Sequence, residues 1–218
     1  MKEIEVFRDL SVHGDREQRG ALRNALIEGA VAPWSVDLER SEEMRLAGLT
    51  DEDVLLFTCE QNAHHPEAGL TFWGTADGYY VPNITPLNVG RLSFAQYNAV
   101  LDEFLHNLLE PIAARHGFSI KTTKEEQGLD DWVNVEVASA LRRFSAAANK
   151  STGAGHPSDQ RRWYAFIVAS HSHRRKLDPD QLSRWLSEVD GWDEDTAHRL
   201  AGDFENALSL LRFYDGER

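Results

Sequence analysis

The 218-residue sequence contains one cysteine, no long apolar run and fewer basic than acidic residues. Because Cys59 is alone, no disulfide can form within the chain, and a secreted fold held by disulfides is excluded. No segment approaches the roughly 20 apolar residues that span a bilayer. The first ten residues, MKEIEVFRDL, carry charges where a signal peptide needs an apolar stretch. We therefore expect a cytoplasmic protein that does not contact a membrane.

The sequence also lacks local catalytic signatures. It has no Gly-x-Ser-x-Gly nucleophile elbow. Residues 149–156, NKSTGAGH, have the composition of a phosphate loop, but the glycines follow the Lys-Ser-Thr triplet instead of preceding it. A phosphate loop also joins a strand to a helix, whereas the segment before residue 149 is predicted to be helical. The sequence leaves open whether the protein is an enzyme, and it predicts no cofactor.

Acidic residues dominate the charge, but not evenly. The formal net charge is −13. Residues 142–176 contain eight Lys and Arg residues and one acidic residue, a net of +7, and we call them the cationic segment. The net charge is −13 over residues 1–141 and −7 over residues 177–218. An acidic protein disfavours nucleic acid and anionic membranes and favours a basic partner, and the cationic segment reverses that preference locally.

Apolar periodicity and turn residues predict an α+β fold. Alternating or continuous apolar runs predict about five strands, at residues 2–6, 54–58, 70–74, 79–81 and 118–122. The strands do not alternate regularly with helices, which argues against a doubly wound parallel sheet. We expect a mixed N-terminal half with a small, largely antiparallel sheet and long helices, followed by a helical C-terminal half. The predicted domains are an α+β domain at 1–128 and a helical subdomain at 129–218.

Several local signals refine this picture. Asp77-Gly78 between two apolar runs predicts a β-hairpin in which the glycine adopts a positive φ. Pro82 is expected to end the second strand of that hairpin at a sheet edge. Trp34 is assigned to a loop.

Capping and acidic residues mark the starts of three predicted helices. Ser93 is expected to cap a long helix, and Asp178, followed by Pro179, is expected to cap another. Acidic residues at 130–131 are expected to open a second long helix.

Candidate anion-binding residues lie in the cationic segment. A helix is predicted to start near Asp159, with Ser158 or Asp159 as its cap, and free N–H groups at such an end attract anions. Four residues could converge there on a phosphate or a carboxylate: Lys150, His156, Arg161 and Arg162. The alternative is an ordinary connection between two helices.

The densest basic run lies at residues 171–176. It contains His171, His173, Arg174 and Arg175, followed by a lysine. Such a run can contact the phosphates of a nucleic acid. It can equally be the C-terminus of a helix, where each cation stabilises the helix dipole by about 0.3–1 kcal/mol.

Metal-type ligands occur near the single cysteine. Cys59, His64 and His65 lie within seven residues, and His156 is a possible fourth ligand. One cysteine beside two adjacent histidines does not match the spacing of a structural zinc site. The sequence therefore predicts no metal site.

Three classes of function remain, and we rank them. The first is a cytosolic acidic protein that binds and regulates a basic protein, as a toxin-neutralising antitoxin or immunity protein does. The second is an enzyme or sensor for a phosphate-bearing ligand at the cationic segment. The third is a nucleic-acid-binding protein that uses the same segment. The sequence does not indicate an oligomeric state.

Overall fold

The computed structural model describes residues 2–48, 52–173 and 177–216. The chain divides into two compact units. One is Val6–Glu125, called the α+β unit, and the other combines Met1–Glu5 with Glu126–Arg218 and is called the helical unit. The domain boundary at residue 128 stays a prediction, because a compact unit need not fold independently. The α+β fold class is confirmed by an antiparallel sheet followed by a helical C-terminal part.

Among the described residues, each unit contains both β-strands and α-helices. The strands are β1 (Ile4–Glu5), β2 (Leu10–His13), β3 (Trp34–Asp37), β4 (Val54–Cys59), β5 (Ala68–Gly74), β6 (Gly78–Pro86), β7 (Ser119–Thr122) and β8 (Glu126–Gln127). The helices are α1 (Arg19–Gly29), α2 (Leu38–Ala47), α3 (Phe94–Phe104), α4 (Glu110–Arg115), α5 (Leu129–Trp132), α6 (Val135–Ala147), α7 (Pro157–His171), α8 (Pro179–Arg184) and α9 (Glu194–Gly216). Among these helices, none is both long and apolar enough to cross a membrane.

The α+β unit is built on a six-stranded sheet in the order β3-β4-β5-β6-β2-β7. Every neighbouring pair in it is antiparallel. Helix α3 packs on this sheet through Phe104, whose ring centre lies 5.3 Å from that of Trp34, 5.0 Å from Phe57 and 5.6 Å from Phe72. Aromatic pairs at such distances add to the stabilisation that burial supplies. This cluster fixes α3 against the centre of the sheet.

The ends of α3 follow the sequence signals. Ser93 accepts a hydrogen bond from the Gln96 N–H, and the Gln96 side chain accepts one from the Ser93 N–H, which is a capping box. The helix continues through a π-helical turn, Leu105–Leu109, into α4. Gly117 follows with a φ of +73°, which favours glycine at a helix end.

Two sequence assignments were wrong because a residue outside the local pattern decided the structure. Trp34 begins β3 and does not lie in a loop, since it pairs with Cys59 at the sheet edge. The acidic pair at 130–131 opens only the short α5. Asn134 then caps α6 by accepting a hydrogen bond from the Val137 N–H at 2.9 Å, so the long helix starts later than predicted.

The predicted hairpin is present, but its glycine has a different role. Strands β5 and β6 pair as expected. Gly78 does not have a positive φ; a Cβ there would lie 1.8 Å from the carbonyl oxygen of Val12 on β2, so the glycine permits a close backbone approach. Strand β6 does not end at Pro82. Pairing with β2 covers only residues 78–80. Pro82, which has no N–H to donate, therefore lies where β6 pairs with β5 alone.

The helical unit contains the β1–β8 pair and the helices α5 to α9. Its centre is an aromatic cluster. Trp163 lies 4.8 Å from Phe144, and Phe166 stacks on Phe204 at 5.2 Å between ring centres. These contacts hold α7 against both α6 and α9. Asp178 caps α8 as predicted, accepting from two backbone N–H groups.

Gly78→Ala tests the close approach of β6 and β2. We expect the free energy of unfolding to fall by about 3 kcal/mol or more, because the new methyl group meets backbone that cannot move independently. Chemical denaturation measures this change. Gly20→Ala is the matched control: nothing lies within 4 Å of the added Cβ in α1, so stability should rise by about 0.5–1 kcal/mol. Equal effects of the two substitutions would contradict the packing described.

Candidate functional site

The cationic segment is partly neutralised by residues on either side of it. The guanidinium of Arg142 donates two hydrogen bonds to the carboxylate of Asp130, at 3.0 and 2.7 Å. Lys150 donates to the main-chain carbonyl of Asp190, and its ammonium lies 5.8 Å from a ring centre of Trp192. These two cations are therefore engaged within the helical unit.

The N-terminus of α7 differs from the predicted anion site. His156 is the N-cap, because its Nδ1 accepts a hydrogen bond from the Ser158 N–H at 3.2 Å. Asp159 is buried instead and accepts from the Asn149 N–H at 3.2 Å. The prediction that Ser158 or Asp159 caps the helix was wrong, since Pro157 suits the first helical position and sets an earlier start.

The four residues expected to converge on an anion separate into two groups. Lys150 donates to a main-chain carbonyl, and His156 caps α7. Arg161 and Arg162 lie together with Arg143 along a groove between α6 and α7, whose floor includes two alanines. Only this second group faces a common surface, and we call it the arginine groove.

The arginines of this groove are not equally available. Arg162 donates to the buried carboxylate of Asp159 at 2.9 Å. Arg143 and Arg161 are exposed and form no hydrogen bond or ion pair within the part of the chain that the structure describes. Two free guanidinium groups and one paired one therefore line the groove. This arrangement offers planar donors that suit phosphate or carboxylate oxygens.

The basic run at 171–176 lies partly beyond the structure. His171, in the last turn of α7, places its Nε2 2.8 Å from the carboxylate of Asp215. His173 is half-buried just after the helix. Arg174 and Arg175 lie outside the described residues.

An exposed apolar surface on α7 and α9 was missed by sequence reasoning. Its large side chains expose half or more of their area: Tyr164 59%, Val168 55%, Leu210 67%, Phe213 66% and Tyr214 51%. We call this the α7/α9 face. The signal was available, because the buried positions of α7 are occupied by Trp163, Phe166 and Ile167, and helical periodicity leaves Tyr164 and Val168 outside that stripe.

The two halves of the α7/α9 face are adjacent. Helices α7 and α9 run in the same direction, since Phe166 contacts Phe204 and, further along both helices, His171 contacts Asp215. Tyr164 and Ala207 line one groove between them. One helical turn further, the residues that follow are Val168 on α7 and Leu210 on α9.

A second cluster of reactive side chains lies in the α+β unit. Cys59, His65 and Glu103 place a sulfur, a ring nitrogen and a carboxylate oxygen within 4.8 Å of one another. His65 Nε2 lies 3.0 Å from Glu103 Oε2, and Cys59 Sγ lies 3.8 Å from Glu103 Oε1. The side chain of His65 is fully buried, whereas the neighbouring His64 is exposed.

Electrostatics disfavour nucleophilic catalysis by this cysteine. Burial, reinforced by the neighbouring Glu103 carboxylate, raises the pKa of the Cys59 thiol to about 12. A reactive cysteine needs the opposite, a lowered pKa that supplies thiolate near neutral pH. The sequence named Cys59 and His65 but missed Glu103, because no local spacing connects residues 44 positions apart.

Comparison with known proteins assigns no activity. Residues 134–215 match a family model described as a domain of unknown function (DUF1889). The match lies within the helical unit and covers less than half of the chain. No curated protein and no solved structure matches the chain.

Arg142→Gln tests whether Asp130 neutralises the cationic segment. The hydrogen bonds from Arg142 hold the pKa of Asp130 below its usual value, so this substitution should raise that pKa, as measured by NMR titration. A carboxyl whose pKa is lower in the folded than in the unfolded state stabilises the fold at pH values above its unfolded-state pKa. This stabilisation is lost as the pH falls through the folded-state pKa. Arg143→Gln, next in sequence but unpaired, should leave the pKa of Asp130 nearly unchanged. A shift of the same size in both variants would contradict the pairing.

Proposed function

We propose that this protein binds a basic protein in the cytoplasm through the α7/α9 face and thereby regulates or neutralises it, as antitoxin and immunity proteins do. The observation that carries the proposal is the exposure of five large apolar side chains on two adjacent helices. Contiguous exposed apolar surface on a folded protein commonly marks an interaction site. The segment that matches the family model contains α7 and all but the last residue of α9.

Covering this face would supply favourable free energy. Leu210 and Phe213 each expose about two-thirds of their area. Full burial of such a side chain stabilises by about 1.5–3 kcal/mol, so covering these two would contribute on the order of 1–2 kcal/mol each. Aromatic residues, which this face also offers, are enriched in the centres of protein interfaces.

On the α9 side of the face, charge favours a basic partner over an acidic one. Residues 177–218, which contain α9, have a net charge of −7. Asp203 lines the groove beside Tyr164, where it forms an ion pair with Arg199 at 3.2 Å, and Asp215 lies at the far end of the face with 61% of its side chain exposed. Opposite charge around an apolar centre increases the association rate and excludes partners of the wrong sign.

Leu210→Ser combined with Phe213→Ser tests this proposal. Because both side chains are exposed, the fold should lose no more than about 0.5 kcal/mol for each substitution. Affinity purification of the tagged variant from its source organism should recover at least about tenfold less of the basic partner than the wild type does, in keeping with the lost apolar area.

Val89→Ser is the matched control, because Val89 is fully exposed but lies in the α+β unit. It should recover the same partner at the wild-type yield. The proposal fails if all three proteins recover equal amounts, or if the recovered protein is acidic.

The arginine groove supports a second candidate function, the binding of a phosphate-bearing ligand or nucleic acid. The specific observation is that Arg143 and Arg161 are exposed without a partner in the described part of the chain, next to Arg162. Arginine binds phosphate through paired N–H donors, and each phosphate contact makes binding weaker as salt increases. The acidic remainder of the chain would limit such binding to this groove.

Arg143→Gln combined with Arg161→Gln tests the second candidate. Fluorescence anisotropy with a labelled single-stranded RNA, from about 50 to about 200 mM salt, gives the slope of log affinity against log salt. The slope should decrease in magnitude by about 0.7 for each lost contact. Arg142→Gln is the control, since Arg142 is bound to Asp130 and should not affect the slope. Binding that does not depend on salt, or equal slopes in all variants, would exclude this function.

A further inference from the structure

We propose that Cys59, His65 and Glu103 form a binding site for a zinc ion in the α+β unit. The three side chains come from different parts of the chain and meet in one place. Cys59 ends β4, His65 lies in the connection between β4 and β5, and Glu103 lies on α3. This inference concerns a different unit from the α7/α9 face and does not depend on it.

The connection between β4 and β5 holds His65 firmly. The Asn62 side chain accepts hydrogen bonds from the His64 N–H at 2.8 Å and from the His65 N–H at 3.2 Å. The Asn62 N–H donates to the His65 carbonyl at 3.0 Å, and the Glu60 N–H donates to the Pro33 carbonyl at 3.0 Å. The imidazole is therefore presented by an ordered turn, and its side chain is completely buried.

The orientation of the imidazole is the one that metal-binding histidines adopt. Nδ1 of His65 lies 2.8 Å from the carbonyl oxygen of Pro66. A carbonyl can only accept, so Nδ1 carries the hydrogen and Nε2 faces the cluster. Histidine ligands usually donate their second N–H to a carbonyl or carboxylate, which fixes the ring and the tautomer.

The spacing of the donor atoms suits a tetrahedral ion. Zinc lies about 2.0–2.3 Å from nitrogen, oxygen and sulfur ligands, so tetrahedral donors are about 3.3–3.8 Å apart. The Nε2–Oε2 distance between His65 and Glu103 is 3.0 Å, and the Sγ–Oε1 distance between Cys59 and Glu103 is 3.8 Å. Asn62 Nδ2 lies 2.8 Å from Glu103 Oε2 and 3.0 Å from His65 Nε2, so a zinc ion would take the place of this amide between the two donors.

The donor set selects the class of metal. Magnesium and calcium take oxygen ligands, whereas a thiolate combined with an imidazole favours zinc over them. Zinc binding would release the proton of the Cys59 thiol to solvent, because the metal-bound form is the thiolate. Three protein ligands leave a fourth position for water or for another group. Such an ion would tie the β4–β5 connection to α3, so its binding should stabilise the folded chain.

Cobalt titration of the full-length protein, stripped with a chelator, tests the site. Cobalt takes the place of zinc and gives an absorption band from sulfur-to-cobalt charge transfer only when a thiolate is a ligand. The wild type should bind one equivalent and show this band, and added zinc should abolish it. Cys59→Ser, a near-isosteric change, should lose the band, and Glu103→Gln should weaken cobalt binding at least about tenfold.

His64→Gln is the matched control, because His64 is adjacent in sequence but exposed. It should bind cobalt as the wild type does. Zinc should also raise the melting temperature of the wild type and of His64→Gln, but not that of Cys59→Ser. Circular dichroism of each metal-free variant verifies that it is folded.

Two results would overturn the proposal. The first is a folded wild type that shows no sulfur-to-cobalt band. The second is cobalt binding that is equally strong in the wild type and in folded Cys59→Ser and Glu103→Gln. In either case the cluster is a buried histidine–carboxylate pair that only connects the loop to α3.

Discussion

Aromatic packing at the centre of the helical unit determines which surfaces of α7 remain available for binding. Trp163 packs against Phe144 of α6, and Phe166 stacks on Phe204 of α9. Because these side chains face both neighbouring helices, Tyr164 and Val168 remain at the surface. Tyr164 then lies in the groove between α7 and α9, while the arginines lie beside α6. Both proposed binding surfaces follow from the same buried contacts.

In the α+β unit, an aromatic side chain has the same organising role. Phe104 fixes α3 on the sheet through three ring contacts. The residue before it, Glu103, is thereby placed beside Cys59 and His65. The three proposed zinc ligands all belong to the α+β unit, whereas the two proposed binding surfaces belong to the helical unit.

Sequence reasoning succeeded where a short segment determines its own structure. The α+β class, the β5–β6 hairpin and the caps at Ser93 and Asp178 all rest on local patterns, and all are present. It failed where a distant or competing residue decides. Gly78 is required by Val12 on another strand, which no local pattern reveals.

The candidate sites show the same limit. The sequence located the cationic segment, but its pairing with acidic residues such as Asp130 depends on how the helices pack. Which arginines remain free could therefore not be predicted.

Hydrogen–deuterium exchange, measured on the protein alone and in its purified complex, tests the central claim most directly. Exchange reports local opening, which a bound partner suppresses at its contact surface. If the α7/α9 face is the docking surface, exchange should slow in the C-terminal halves of α7 and α9 and stay unchanged in the six-stranded sheet. Protection confined to the sheet, or unchanged exchange throughout both helices, would contradict the account.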